Sequence, residues 1–387
     1  MRNEHCPICG LDSGLILKLG FGIKLSLPKT IEIRHCATDN FLFVGNGCQS
    51  DYDDYYRSIA NDSNHAEVSG ANKRSVIAEL QKRHLAQALA GFFGEPRKVL
   101  DFGCGEASLL VELACDFPTS TFVGFDPGPA AELGNRKAAA LSLKNLSVAD
   151  LKMCSDQGPY DLIIASHVIE HMVDLDLLQY LNGLLSENGL LYIEVPDSLR
   201  YGERERREFL YYFDRLHVNH FSPEAMARLC AGYDFGYVGQ FQYCFPYRDG
   251  GEYPALGMLF QKGQDVVEVT SASIVDAATR YIDSEKLRAK EIARQFDAFE
   301  GVLVWGAGDN FYRSSENDGP LSKLRNVVLL DRRPREVIVG GREFLTLDPD
   351  EGIRRYQWPV VVTVSVERKT IGDQIHSIDP SRQVFFV

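Results

Sequence analysis

Between residues 71 and 265 the chain alternates short apolar runs with stretches of helical pattern. The apolar runs read KVLDFG, TFVGFD, DLIIAS and LLYIEVPD, and each is followed by a helix-compatible stretch. That alternation predicts parallel strands joined by crossover helices in an open, doubly wound sheet. From residue 266 a polar helical pattern around 274–298 precedes four more strands, GVLVWG, NVVLLD, PVVVTVSV and QVFFV. This predicts a second, smaller α/β unit, with GQDVVEVTSAS as the linker before it. The first 70 residues differ in texture: they hold Cys6, Cys9, Cys36 and Cys48 and the tyrosine-rich stretch Asp51-Tyr52-Asp53-Asp54-Tyr55-Tyr56. Three units are therefore expected, over residues 1–70, 71–265 and 266–387. There is no solenoid-length repeat and no low-complexity tract.

Composition narrows the class. The 387 residues are 45% hydrophobic and 25% charged, which is ordinary for a globular protein. Lys and Arg total 41 against 54 Asp and Glu, a net charge of −13. Such a surface repels polyanions, so nucleic acid is not an expected partner. No run approaches the ~18 apolar residues of a membrane span, and the opening MRNEHCPICG lacks the apolar segment of a signal peptide. The expectation is a cytoplasmic protein with reduced thiols, no membrane partner, and a monomeric or homodimeric state.

Residues 99–108 read Val-Leu-Asp-Phe-Gly-Cys-Gly-Glu-Ala-Ser. A strand ends at Asp101, and Gly103 and Gly105 turn the backbone into a helix beginning near Ser108. Glycine suits both the sharp turn and close approach to a ligand. About 20 residues on, Asp126 closes a second strand, where a carboxylate can accept both ribose hydroxyls of an adenosine ligand. The third glycine of a dinucleotide fingerprint is replaced by Ala107. An acid before the first glycine also repels a pyrophosphate but suits a ligand carrying an ammonium and a sulfonium. S-adenosylmethionine is such a ligand, and the D-x-G-x-G arrangement resembles the class I methyltransferases. A dinucleotide oxidoreductase is the rival reading. The resemblance implies that Asp150 and Leu151 flank the adenine. It also makes Asp161–His171 the fourth strand with its exit loop, Ser166 lying beside the cofactor.

Cys6-Pro-Ile-Cys9, followed by Gly10, is a knuckle whose thiolates bind one tetrahedral zinc ion well. Cys36 is the third candidate, and Asp39, His35 and Cys48 compete for the fourth position. With every position filled by protein the ion would be structural. A metal-free, degenerate knuckle is the alternative.

After the fifth strand comes Phe213-Asp214-Arg215-Leu216-His217-Val218-Asn219-His220-Phe221-Ser222. Ser222 reads as the N-cap of a helix starting at Pro223, which places His217 and His220 in a loop at the carboxyl edge of the sheet, where such folds bind ligands. A loop histidine is a natural base; a pair of structural histidines is the plainer reading.

The order of a cysteine knuckle, a methyltransferase core, a histidine loop ending in Phe-Ser, and a second unit beginning VLVWGAG resembles the sugar C-methyltransferases over essentially the whole chain. The resemblance implies an α/β architecture: a Rossmann-like class I methyltransferase core flanked by a small N-terminal zinc-binding domain and a C-terminal Rossmann-like domain. It implies S-adenosylmethionine and zinc as cofactors and a nucleotide-linked 4-keto-deoxysugar as acceptor. His220 would remove the C-3 proton, His217 would hold or protonate the enolate oxygen, and His171 would face the same cleft, with Glu194 a weaker candidate. In the family the loop reads Tyr-His-Glu-His. Here His217 replaces the Tyr and Asn219 replaces the Glu, and Asp39 stands where a fourth zinc cysteine is expected. Tyr52, Tyr55 and Tyr56 would close the cleft over the cofactor or simply pack one unit on another. The second glycine loop, with Asp331 at the next strand end, would border the acceptor's nucleotide. The run Arg332-Arg333-Pro334-Arg335 would contact a diphosphate or stand as a solvated turn. Two further readings remain: an O- or N-methyltransferase on the same scaffold, and a non-catalytic protein with a relic cofactor fold.

Overall fold

The computed structural model describes residues 4–22, 26–59, 71–90, 97–204, 208–246, 252–332, 336–364 and 367–387. The chain opens with an antiparallel meander of β1 (Gly14–Gly20), β2 (Thr30–Cys36) and β3 (Phe41–Val44). Helices α1 (Gln49–Ile59) and α2 (Ala71–Leu89) lead into the central unit. Its elements are β4 (Lys98–Phe102), α3 (Ser108–Asp116), β5 (Thr121–Phe125), α4 (Ala130–Ala140), β6 (Leu146–Val148), α5 (Leu151–Gln157), β7 (Tyr160–Ser166), α6 (Leu177–Leu184) and β8 (Leu185–Pro196). Then come β9 (Asn219–His220), α7 (Pro223–Ala231), and the long strands β10 (Phe235–Pro246) and β11 (Glu252–Lys262).

Apart from β9, which pairs with β3 in a four-stranded sheet, these strands form a seven-stranded sheet in the order β10-β11-β8-β7-β4-β5-β6. β8, β7, β4, β5 and β6 are parallel. β4 is buried on both faces through Val99, Leu100 and Asp101, as a central parallel strand must be. One expectation needs correction: the sheet is mixed. β10 and β11 pair antiparallel with each other, and β11 runs antiparallel to β8. The chain runs from β4 through β5 to β6 on one side and then crosses to β7 on the other side of β4, so the ends of β4, β5 and β7 border a topological switch point, the place where open sheets bind ligands.

Residues 263–273 contain no helix or strand and lead to α8 (Ile274–Arg294), capped by the Ser273 hydroxyl accepting from the Asp276 N–H. Beyond it lie β12 (Val302–Trp305), α9 (Asp309–Ser315), β13 (Val327–Leu330), β14 (Val337–Val339), β15 (Arg342–Leu347), α10 (Pro349–Arg355), β16 (Val360–Val362), α11 (Arg368–Ile378) and β17 (Val384–Phe386). They build a six-stranded sheet ordered β14-β15-β13-β12-β16-β17, in which only the edge strand β14 is antiparallel.

The hydrophobic cores do not follow the three segments. One cluster joins Leu19 and Tyr52 to Tyr201 and Phe213 and to Ile274 and Tyr281, so α8 shares its core with both preceding segments. Arg215, 1% exposed, ties them further: its Nη1 donates to the Gly22 carbonyl at 2.8 Å and its Nη2 to both Asp309 oxygens at 2.8 and 3.0 Å. Tyr52 and Tyr55 are core residues, and the Tyr52 hydroxyl donates to the Arg215 carbonyl. Of the basic run, residues 333–335 lie outside the described residues, and Arg332 donates to Gln374 at 3.0 Å. Among the described residues no helix is long and apolar enough to cross a membrane.

Candidate active site

The loop after β4 takes the shape its glycines permit. Gly103 and Gly105 have φ of +83° and +52°, where an L side chain is strained. A Cβ on Gly103 would also collide with Val168 Cγ2. The Gly103 and Cys104 N–H groups donate to the Phe125 carbonyl at 2.7 and 2.9 Å. Asp126 clamps the loop from β5: Oδ2 accepts from the Gly105 N–H at 3.0 Å and Oδ1 from the Gly128 N–H at 2.7 Å. Each of its oxygens keeps a lone pair for a further donor. Ala107, standing where a dinucleotide loop has its third glycine, adopts φ +54° and is fully buried. Space for its methyl comes from the neighbouring helix, because a Cβ on Gly134 would lie 2.9 Å from it.

A cavity of about 160 Å³ opens beside this loop, lined by Gln81, Asp101, Gly103, Cys104, Glu106 and Ser166 among others. Of the predicted cofactor residues, Asp101, Gly103 and Ser166 line it. Gly105 and Asp126 join it through the loop clamp. Asp150 and Leu151 stand apart from the lining: Asp150 is the N-cap of α5, accepting from the Met153 N–H at 2.8 Å, and Leu151 is exposed. Asp101 is buried, and burial, with the charge of Asp126 adding to it, pushes its carboxyl up to about 7. A carboxyl held there lacks a positive partner.

Gln81 donates to Ser166 Oγ at 3.1 Å, and Ser166 Oγ donates to Glu194 Oε1 at 2.8 Å. Tyr192 donates to the other Glu194 oxygen at 3.0 Å. His167, at φ +56°, has its Nδ1 3.0 Å from Glu170 Oε1 and its Nε2 3.5 Å from Glu194 Oε1. Burial alone would lower the His167 pKa, but the hydrogen bond and charge of Glu170, with Glu194, outweigh it and raise the value. The sequence pattern does not single out His167, Gln81 or Tyr201 as contributors. A histidine directly after a strand-end serine and three residues before a glutamate was the signal for the first.

The histidine run needs a correction. His220 is not in an open loop. It lies in β9, paired with Leu42 of β3, and is 1% exposed. Its Nδ1 lies 2.9 Å from the Tyr201 hydroxyl, while Nε2 is buried without a partner. Burial pushes its pKa down to about 3, against an opposing pull from Glu170. His217 is likewise held well below the ordinary histidine value by burial and by His171. Asn219 is structural: its Nδ2 donates to the Ile169 and Met172 carbonyls at 2.6 and 2.8 Å. His171 Nδ1 donates to the Leu216 carbonyl at 2.9 Å, and its ring stands 5.0 Å from that of His217 and edge-on to Tyr56.

At the amino terminus the donor atoms of Cys6, Cys9, Cys36 and Asp39 all lie within 4.8 Å of one another, and neither His35 nor Cys48 belongs to that set. Cys6 and Cys36 point their thiols at Asp39 Oδ2 at 3.1 and 3.4 Å, and Cys9 Sγ stands 3.6 Å from Cys36 Sγ. The Ile8 N–H donates to Cys6 Sγ at 3.4 Å, and Gly10 turns at φ +75°. Burial, with hydrogen bonding to Asp39, pushes the Cys9 thiol up to about 11. Three sulfurs and one carboxylate on a tight turn fit a tetrahedral ion.

At the end of β12, Gly306 has φ +107°, and a second cavity of about 650 Å³ is lined by Trp305, Arg332, Asp348 and Arg354 among others. Asp331, which follows β13, is not in that lining.

Comparison with known proteins bears on the central unit. Residues 74–240 match the family described as "Methyltransferase domain". Trans-aconitate 2-methyltransferase of Methylobacterium radiotolerans is 33% identical over 105 residues, which span 27% of this chain and 40% of that protein. Malonyl-[acyl-carrier protein] O-methyltransferase of Legionella pneumophila is 30% identical over 151 residues, 37% of this chain and 53% of that protein. The chain thus spans about half or less of these relatives' length. Among solved structures, magnesium protoporphyrin IX methyltransferase from Synechocystis PCC 6803 aligns over 55% of this chain and 99% of its own, with 15% identity and a TM-score of 0.40. The glycine loop, its two strand-end carboxylates and the family match over the same residues make residues 74–240 a class I S-adenosylmethionine-dependent methyltransferase domain.

Proposed function

We propose that the protein transfers the methyl group of S-adenosylmethionine to a carbon of a nucleotide-linked 4-keto-deoxysugar. The observation that carries the donor assignment is Asp101: a buried carboxyl under a glycine turn, beside a cavity at the switch point, calls for a cation and repels a pyrophosphate. The acceptor rests on the order of the three segments along the sequence and on the imidazoles of His171, His217 and His220 gathered at the carboxyl edge.

In this reaction the acceptor's C-3 proton passes to a neutral histidine, His220 through the unpartnered Nε2. The enolate carbon then bonds to the methyl as the carbon–sulfur bond breaks, leaving S-adenosylhomocysteine. Tyr201 holds the other ring nitrogen. Burial at 1% exposure requires the cover over His220 to move for the acceptor to reach it. A base whose conjugate acid lies near 3 abstracts a ketone's α-proton slowly unless the enolate oxygen is neutralised as it forms.

A second reading, O-methylation, draws on that weak basicity and on the O-methyltransferase among the relatives. Deuterium exchange at C-3 of a 4-keto sugar nucleotide separates the two. Exchange in the wild type and its loss in His220→Ala supports carbon transfer. Methyl transfer to oxygen with no exchange refutes it. We further propose that Cys6, Cys9, Cys36 and Asp39 hold one structural zinc ion. Metal analysis should find one equivalent fewer in Cys36→Ser than in the wild type.

A further inference from the structure

The geometry points to a second metal site in this protein, a divalent transition-ion site formed by Glu170, His171 and His217. One donor atom from each of the three lies within 4.8 Å of the others. Ligands about 2.0–2.1 Å from an ion stand roughly 3.0–3.4 Å apart, so modest side-chain rotation closes the set.

Three further observations favour an ion over a chance cluster. First, the cluster is held from outside. Asn219, two residues after His217, staples its strand to the turn that carries Glu170 and His171. Second, the partners expected behind metal ligands are in place. His171 spends Nδ1 on the Leu216 carbonyl, which in the neutral tautomer leaves Nε2, 3.8 Å from Glu170 Oε1, as the ligand atom. The other Glu170 contact is His167 Nδ1, on the same Oε1. Third, donors are left over. Glu170 is 0% exposed and its Oε2 has no hydrogen-bond partner, and His217 Nδ1 is buried and equally unpartnered. Buried polar atoms are normally paired. Here a carboxylate oxygen and an imidazole nitrogen, neither of which can satisfy the other without a proton, are left unpaired at one cluster.

Two imidazoles and one carboxylate suit zinc, manganese, iron or cobalt better than magnesium or calcium, and they leave coordination positions open. The site depends on His217, the position where the resembling family carries a Tyr. Resting on the reading of an enolisable acceptor, an ion here would bind the acceptor's oxygen and lower the demand on a weakly basic His220.

The test uses the full chain, stripped with chelator and titrated with Co²⁺ alone, with neither methyl donor nor acceptor present. It therefore succeeds or fails independently of the methyl-transfer assignment. Thiolate-to-cobalt charge transfer marks the cysteine cluster; a site of nitrogen and oxygen ligands gives only weak visible bands. The expected result is a second equivalent without thiolate character, retained in Cys36→Ser and weakened at least tenfold in Glu170→Gln and His217→Tyr. His217→Tyr restores the family's residue, and thermal melting confirms that it folds. A wild type that binds only the thiolate-linked ion, or a folded His217→Tyr that keeps the second equivalent, overturns the proposal.

Discussion

Replacing Asp101 by Asn tests the cofactor pocket from two directions. In the free protein its carboxyl is held near 7, above the ordinary 3.8, by burial and by the nearby charge of Asp126. Keeping it ionised inside the fold costs on the order of 4 kcal/mol. The sign follows from proton counts. Between about pH 4 and 7 the folded state binds a proton that the unfolded state has released, so this group's contribution to stability falls as pH rises through that window and levels off above it. Asn carries no such penalty. Asp101→Asn should therefore match the wild type near pH 4 and melt several degrees higher at pH 8, with the gap opening between pH 5 and 7. Binding runs the other way. S-adenosylmethionine needs the ionised form, so its affinity for the wild type should weaken about tenfold from pH 8 to pH 6, where roughly one molecule in ten is ionised. Asp101→Asn should bind weakly with no slope of this origin. Calorimetric titration and thermal melts at pH 5, 6, 7 and 8 give both quantities. A stability gap that does not change with pH, or a variant that binds the cofactor as tightly as the wild type, refutes the reasoning.

The glycine turn predicts an order of costs. Gly103→Ala should destabilise by about 2–4 kcal/mol, combining left-handed strain with the collision against Val168, whereas Gly105→Ala, with open space around its Cβ, should cost only about 1 kcal/mol; urea denaturation reads both, and the reverse order refutes the account. Arg215→Ala removes a 1% exposed guanidinium paired with Asp309 and should cost about 3–5 kcal/mol. If the same denaturation curves show less than about 1 kcal/mol, the ion pair is not what joins the segments.

What the sequence disclosed, it disclosed through local chemistry. Gly103, Gly105, Asp101 and Asp126 could be placed because a turn with positive φ and a strand-end carboxylate each demand particular residues within a few positions. Ser222 and Pro223 announced the start of α7 for the same reason, and the Ser222 hydroxyl does accept from the Ala225 N–H. The antiparallel edge was legible in part. Phe241, Tyr243 and Phe245 alternate with Gln240 and Gln242 in β10, a period of two, but Gly236, Gly239 and the bulge between Tyr237 and Gly239 interrupt it. β9 left no trace. Two residues have no periodicity, and the pairing of His220 with Leu42 joins positions about 180 residues apart. A histidine's burial is set by such distant neighbours, which is why a residue read as an accessible base proved to be enclosed.

Three carboxylates at the carboxyl edge of the central sheet bear on both the cofactor and the proposed ion. Asp101, Glu170 and Glu194 are 4%, 0% and 1% exposed, and among the described residues none forms an ion pair with a lysine or arginine. His167 contacts Glu170 and Glu194 but not Asp101. Buried anions left this short of positive charge are costly to a fold, and burying lysines beside them would remove that cost. A fold that instead leaves Asp101 facing a cavity and one oxygen of Glu170 bare is arranged so that positive charge arrives with what it binds: the ammonium of a methyl donor at the first carboxylate, and a divalent ion at the second. On that argument the instability of the free protein at this edge and its affinity for cationic ligands have one cause, and a substitution that relieves the first should weaken the second.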